Sequence, residues 1–391
     1  MLTSQTRQKF AIYGLMFLPG FTWASWVSRT PVMRDSLSAT TEMMGLILFG
    51  FSCGSMFGVF ITGKLIAWIG ARRTILYGIL VLLAGVVTLM LGLEEQSRAL
   101  TFISLMLLGA GTGMVDIVVN VEGAAFEQTL SKSIMTVIHG FFSLGTLVGA
   151  LAGMAMTALD ISTLYHFTGV LAVIVAMTAI VLRHFPTASA QAHADNPPTG
   201  SFTAQVMREL RDRQLLILGV VILAMALAEG SANDWLPLIM IDGHNLGHTA
   251  STLVYVGFTA GMTAGRFLGG YLVDRLGRVW MLRASAVSAA VGLVIVIFVD
   301  QPWLVGAAVL FWGIGASLGF PLTVSAAAEG GNSAVRVTIA ATLGYFAFLV
   351  GPPFLGFLGE HAGLRLAMLP VLVMVLLALF CSGSAKKAQT A

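Results

Sequence analysis

Six ionisable side chains stand inside long apolar stretches of this 391-residue chain: Asp116, Glu122, His139, Glu229, Asp234 and Arg266. Holding such a group at the centre of a bilayer costs about 2.5 to 3.5 kcal/mol on insertion scales, so each needs a functional or structural reason. The chemistry open to these types is reversible protonation and hydrogen bonding to a polar solute. Asn233 follows Glu229 by four residues, and Asn120 follows Asp116 by four. Residues at that spacing share one helix face. Glu229 falls near the middle of its stretch, where with Asn233 it would bind a polar solute or a proton. The alternative is a hydrogen-bonded carboxyl that pins two helices. Counted outward from the turn near residues 129 and 130, His139 is level with Asn120. That makes Asp116, Asn120 and His139 a candidate polar cluster or a hydrogen-bonded helix contact. Glu122 points elsewhere on the wheel, either as a further proton carrier or as an interfacial residue.

The elements that must position these groups are membrane helices. The chain is 57% hydrophobic and 10% charged, with a mean hydropathy of +0.90, where soluble domains carry about 25% charged residues. A membrane span needs about 20 mainly apolar residues. The sequence predicts twelve spans, at 10–31, 43–68, 74–93, 99–124, 133–158, 162–183, 214–238, 250–273, 279–299, 302–327, 336–358 and 364–383. The fold class is an all-α polytopic membrane protein. Arg7 and Lys9 precede a stretch that is too long for a signal peptide and has no small-residue cleavage site, so it reads as the first span.

Six glycines, Gly50, Gly54, Gly58, Gly63, Gly70 and Gly85, return 207 positions later as Gly257, Gly261, Gly265, Gly270, Gly277 and Gly292. Farther on, Gly109, Gly111, Gly140 and Phe142 are answered by Gly313, Gly315, Gly344 and Phe346 at an offset of 204. In lipid, helices associate where small residues let backbones approach, so a repeated glycine ladder predicts a duplicated bundle. Residues 1–184 form the first six-helix unit and 214–391 the second. Between them, 185–213 is a polar linker ending in a short amphipathic helix expected on the inner membrane surface.

Cytoplasmic loops hold the excess of Lys and Arg. With the N-terminus inside, sixteen basic residues fall in cytoplasmic segments, whereas only Arg29, Arg34, Arg98 and Arg365 fall outside. Both termini are therefore expected in the cytoplasm, and the net charge of +3 reports topology rather than nucleic-acid binding. Cys53 and Cys381 lie in apolar stretches and suggest neither a disulfide nor a metal site. The sequence has no phosphate-binding glycine loop, zinc spacing, nucleophile motif or selectivity filter. Those absences argue against an ATP-driven pump, an enzyme, a channel, a cofactor or a metal.

The segment Gly270-Tyr-Leu-Val-Asp274-Arg275-Leu-Gly277-Arg278 matches the G-x-x-x-D-R-x-G-R signature of the major facilitator transporters, while the first-half loop from Gly63 to Arg73 lacks the acid. The stretches NVEGAA (120–125), HGFFSLGTLVGA (139–150), AEGSANDWLP (228–237), GASLGFPLT (315–323) and LVGPPFLG (349–356) resemble a bacterial branch of that family, the MosC-like group. The resemblance runs from about residue 10 to residue 383. It implies two pseudo-symmetric bundles, alternating access and secondary transport across a bacterial inner membrane by a monomer, with a sugar, inositol or amino-inositol as solute; the buried carboxylates and His139 make protons the expected driving ion. A proton-coupled drug or metabolite exporter, and a ligand sensor without flux, remain as alternatives. Leu105 stands where many drug-exporting relatives keep an arginine, which lowers the exporter reading.

On that architecture Trp23, Trp26, Asn120, Glu229, Asn233, Ser317 and Tyr345 are the expected solute contacts. Asp116, Glu122, His139 and Glu229 are the expected proton carriers. Arg29 and Asp234, at similar depths because Pro31 aligns with Pro237, form an expected outer gate unless each simply reaches the periplasm. Gly270, Asp274, Arg275, Gly277 and Arg278, with Arg266 nearby, form an expected cytoplasmic latch in which Asp274 faces a helix start near 131–133. Pro321, Pro352 and Pro353 are candidate hinges or static kinks.

Overall fold

The computed structural model describes residues 4–128, 134–185, 202–329 and 331–386, which form helices and no strand. In chain order these are α1 (Ser4–Val27), α2 (Thr30–Ser36), α3 (Thr41–Ile69), α4 (Ala71–Glu94), α5 (Arg98–Gln128), α6 (Met135–Ala158) and α7 (Thr163–Val181). There follow α8 (Phe202–Glu209), α9 (Arg213–Asp242), α10 (His248–Leu276), α11 (Arg278–Phe298), α12 (Pro302–Ala327), α13 (Ser333–Ala362), α14 (Leu364–Ala367) and α15 (Leu369–Cys381).

Among the described residues, eleven segments are long and apolar enough to cross a membrane, the last running from Leu364 to Ala385. The twelfth long helix is α10, 29 residues, whose threonines, glycines and charged residues Arg266, Asp274 and Arg275 dilute its apolarity. The linker at 186–201 lies outside the described residues.

The chain divides into two compact units. Unit 1 holds Met1–Asn196 and Gly247–Val256, and unit 2 holds Pro197–Leu246 and Gly257–Ala391. In unit 1, α5 packs on α3 and α4, and α1 packs on α6 and α7. In unit 2, α9 packs on α12, α13 and α15, and α11 on α12.

The ladder glycines stand at the crossings. A Cβ at Gly54 would fall onto the Met106 carbonyl, and one at Gly109 onto the Phe51 carbonyl, so α3 and α5 meet backbone to backbone. The second copy repeats this: Gly261 faces the Leu310 carbonyl and Gly313 the Phe258 carbonyl, joining α10 to α12. At such sites close dispersion contact takes the place of the hydrophobic effect, which is absent between helices in lipid. Gly70 and Gly277 do a different job. Each has a left-handed backbone, with φ of 83° and 81°, which ends one helix and starts the next within a single residue.

Proline positions depart from the repeat. The first stretch does not run through to residue 31. Instead α1 ends at Val27, Arg29 sits in the break, and Pro31 enters the first turn of α2. Its counterpart Pro237 lies inside an uninterrupted α9. Pro321, and Pro352 with Pro353, also lie within continuous helices, α12 and α13.

Candidate solute and proton site

Glu229 sits deep in α9, 6% exposed, among residues buried from Ala228 to Met240. Arg266 of α10 donates from Nη2 to Glu229 Oε1 at 2.9 Å. The guanidinium, expected near the cytoplasmic latch, is the partner of the buried carboxylate one helix away. A charge pair out of water is retained only where geometry compensates desolvation, and removing one partner strands the other. Asn233, 4% exposed, donates from Nδ2 to the Glu229 backbone carbonyl at 3.0 Å. Its side chain is thus tied to the same turn. Trp312 of α12 donates from Nε1 to the Ala228 carbonyl at 3.1 Å, fixing α12 beside the same turn of α9.

Ser317 approaches the pair by a different route. It is fully buried, its hydroxyl donates to the Ile314 carbonyl at 2.6 Å, and it packs where Gly265 leaves room. The structure therefore places it at the α10–α12 contact next to Arg266, with its proton engaged by its own helix. Tyr345 is half-buried on α13.

In unit 1, Asn120 Nδ2 donates to both the backbone carbonyl and Oδ1 of Asp116, at 2.9 and 3.1 Å. The shared face expected from the spacing is present. Glu122 is 0% exposed, buried within unit 1. His139 is exposed on α6. Trp26 is buried and packs on Phe51, whereas Trp23 keeps partial exposure between Phe51 and Phe142. Leu105 is fully buried.

The gate residues are placed as follows. Arg29 is 3% exposed, and its fork donates to Thr157 Oγ1 at 2.7 Å and to the Ile161 carbonyl, both in unit 1. Asp234 is buried in α9, 8% exposed. Among the latch residues, Asp274 and Gly270 are exposed, and the Arg275 guanidinium lies 4.2 Å over the Tyr271 ring. The helix start expected to receive Asp274, at 131–133, lies outside the described residues. Arg278 has the strongest attachment in the signature loop: Nη2 reaches both Glu329 carboxylate oxygens at 2.8 Å, and Nε donates to the Ala385 carbonyl at 3.0 Å.

A second charge cluster escaped the sequence reading. Arg336, 2% exposed at the start of α13, donates from Nη1 to Glu209 Oε2 at 3.2 Å and to Asp212, and from Nε to the Ala327 carbonyl at 2.9 Å. The Asn332 amide donates to Glu209 Oε1 at 3.0 Å. That backbone hydrogen bond, helped by Arg336, holds the Glu209 carboxyl below the usual carboxylate range, and Arg336 does the same for Asp212. The amphipathic α8 is consequently docked on unit 2 through a charged residue, with Val206 packed against the Leu215, Leu218 and Val335 cluster. The sequence reading of a short helix on the inner membrane surface did not include this contact. The signal available in the sequence was Glu209 and Asp212 flanking a helix turn, but their partner is 124 to 127 positions away.

Two repeated bundles of long apolar helices, with charged residues inside them, mark a multi-pass membrane protein. The Major Facilitator Superfamily model matches residues 11–338 and, in a second match, 236–387. An MFS-type transporter of Yersinia pestis is 27% identical over 92% of this chain and 91% of that protein. The membrane protein MosC of Rhizobium meliloti is 26% identical over 92% of this chain and 85% of its own length. Among solved structures, the nucleoside transporter NupG superposes with a TM-score of 0.74 at 14% identity over 97% of this chain and all of that one. The Escherichia coli fucose:proton symporter FucP gives 0.63 at 17% identity over 97% of this chain and all of that one. The chain belongs to the Major Facilitator Superfamily. It is a multi-pass membrane protein of the secondary-transport class.

Proposed function

We propose that the chain moves a small polyhydroxylated solute, a sugar, inositol or amino-inositol, across the bacterial inner membrane by alternating access, driven by protons carried on Glu229. The observation that carries this reading is the Glu229–Arg266 pair at 2.9 Å inside apolar helices. Protonating Glu229 cancels its attraction for Arg266 and frees a planar fork of donors that suits hydroxyl and carbonyl oxygens. A solute replacing the carboxylate on Arg266 would couple its own binding to uptake of a proton at Glu229. The fold likeness to a nucleoside transporter and a fucose:proton symporter supports a polyhydroxylated solute, and the basic residues in the loops support cytoplasmic termini. Asp116 with Asn120, and the half-buried Trp23, are the polar and aromatic candidates for solute binding within unit 1.

The test is labelled-solute flux into proteoliposomes under an imposed pH gradient. Wild-type protein should accumulate solute when the outside is acid. Glu229→Gln should lose accumulation while retaining exchange of solute across the membrane. Efflux in place of uptake would favour an exporter, and binding without flux would favour a ligand sensor. Equal accumulation by Glu229→Gln and wild type would sink the coupling role.

A further inference from the structure

The turn from α8 into α9 sets a short helix at the edge of the bilayer. Only Leu210, Arg211 and Asp212 separate α8 from α9, whose stretch from Arg213 is long and apolar enough to cross a membrane. The amides of those three residues donate to the Val206, Arg208 and Glu209 carbonyls, so the turn is closed and α8 stays beside the point where α9 enters lipid. Arg336, paired with Glu209 and Asp212, and the packed Val206 hold the segment on unit 2.

The two faces of the segment differ in charge. Both of its acids, Glu209 and Asp212, are turned to Arg336 and matched there. Its arginines, Arg208, Arg211 and Arg213, are exposed. Arg208 lies 3.5 Å from Glu209 Oε1, yet its side chain is 73% exposed. Beside these cations, Met207 and Leu210, one helical turn apart, are 57% and 36% exposed, and the first two turns of α9 add exposed Leu216 and Val220. Water would leave the apolar side chains unburied, and neutral headgroups would leave three cations without counter-charge. A bilayer surface with negative headgroups satisfies both.

We infer that the outward face of α8 binds anionic phospholipids in the leaflet that α9 enters at Arg213. Met207 and Leu210 seat among the first acyl carbons, and Arg208, Arg211 and Arg213 meet the phosphates. With cytoplasmic termini, which the basic residues in the loops support, this is the inner leaflet. The helix then joins two attachments, acids to the protein and arginines to the lipid. The inference is independent of the transport reading, because it requires neither a solute nor a proton on Glu229.

The test uses the full-length protein with Met207→Cys in a Cys53→Ala, Cys381→Ala background, labelled with a fluorophore. It is reconstituted into nanodiscs of phosphatidylcholine alone or mixed with phosphatidylglycerol. Quenching by lipids spin-labelled near the headgroup, and by neutral acrylamide from the water, reads which phase the label meets. Phosphatidylglycerol should raise lipid quenching and lower acrylamide quenching at least twofold, and added salt should shrink both changes by screening. Combining Arg208→Gln, Arg211→Gln and Arg213→Gln should abolish the dependence on phosphatidylglycerol, whereas lysine at the same three positions should keep most of it. Equal lipid quenching in the two nanodiscs, or a dependence unchanged in the glutamine variant, overturns the anionic recognition. Strong acrylamide quenching in both overturns the lipid contact and would assign the face to an acidic soluble partner. Hydrogen exchange of the α8 amides in unlabelled wild-type protein guards against a perturbing label or a variant that does not fold. Phosphatidylglycerol should slow that exchange several-fold, and equal rates in the two nanodiscs would overturn the inference.

Discussion

At Gly54 in unit 1 and Gly261 in unit 2, one helix of each copy meets the backbone of the helix two spans on, at the Met106 and Leu310 carbonyls respectively. One turn later the copies part. Gly58 still faces backbone, at Ala110, whereas Gly265 faces the side chain of Ser317. The next residue is Val59 in the first copy and Arg266 in the second. The partner of Arg266, Glu229, stands where the first copy has Trp23. The two departures from the repeat carry opposite charge and meet in space. A duplicated scaffold keeps the contacts that hold helices together, and it can change a residue only where the backbone does not need the space. In this chain the buried ion pair occupies positions held by Trp23 and Val59 in the first copy.

The largest expected effect breaks the shared part. Gly54→Val or Gly261→Val drives a side chain into a carbonyl, and no folded protein should be recovered from detergent extracts by size-exclusion chromatography. Gly257→Ala sharpens the comparison, because the nearest atoms to its Cβ would lie at 3.9 Å. It should leave the yield unchanged, whereas Gly50→Ala, which would meet the Phe102 carbonyl at 2.6 Å, should lower it.

The next effect separates the copies. Arg266→Gln leaves Glu229 buried without its cation, and breaking a buried pair costs about 3 to 5 kcal/mol. Its melting temperature should fall well below that of wild type. The double variant Glu229→Gln, Arg266→Gln should recover most of that loss and still fail to accumulate solute. If the double variant melts no higher than Arg266→Gln, the two residues do not act as a pair.

A smaller effect is expected at the α8–α13 clamp. Glu209→Gln and Arg336→Met should each lower the melting temperature, the arginine variant more, by about 3 kcal/mol of stability. The pH dependence has a definite sign. Because the folded protein holds the Glu209 and Asp212 carboxyls low, their contribution is fully present above the ordinary carboxylate range. It is lost as the pH falls through the lowered values. Acid melts of wild type should therefore show a steeper loss than those of Arg336→Met, and parallel curves would remove the clamp from the account. The smallest effect belongs to the signature loop. Arg278→Lys keeps charge but loses the two-oxygen grip on Glu329, and a partly exposed pair of this kind contributes about 1 kcal/mol or less.

Twelve helical stretches, their duplication and the family signature were legible because composition and glycine spacing act locally or repeat at a fixed offset. The i, i+4 pairing of Asp116 with Asn120 was legible for the same reason, being set by the turn of one helix. Pairings with a distant partner were not legible in the sequence. The carboxylates that claim Arg266 and Arg336 lie 37 and 127 positions away.

By itself the sequence determined that this protein resides in lipid, that it is built twice, and which ionisable groups must be explained. Only the tertiary structure decided which of those groups meet. A buried charge in a low dielectric is held by whichever opposite charge or donor the packing brings within about 3 Å, and that choice is made by helix crossings. Glu229 with Arg266, and Arg336 with Glu209, are outcomes of those crossings.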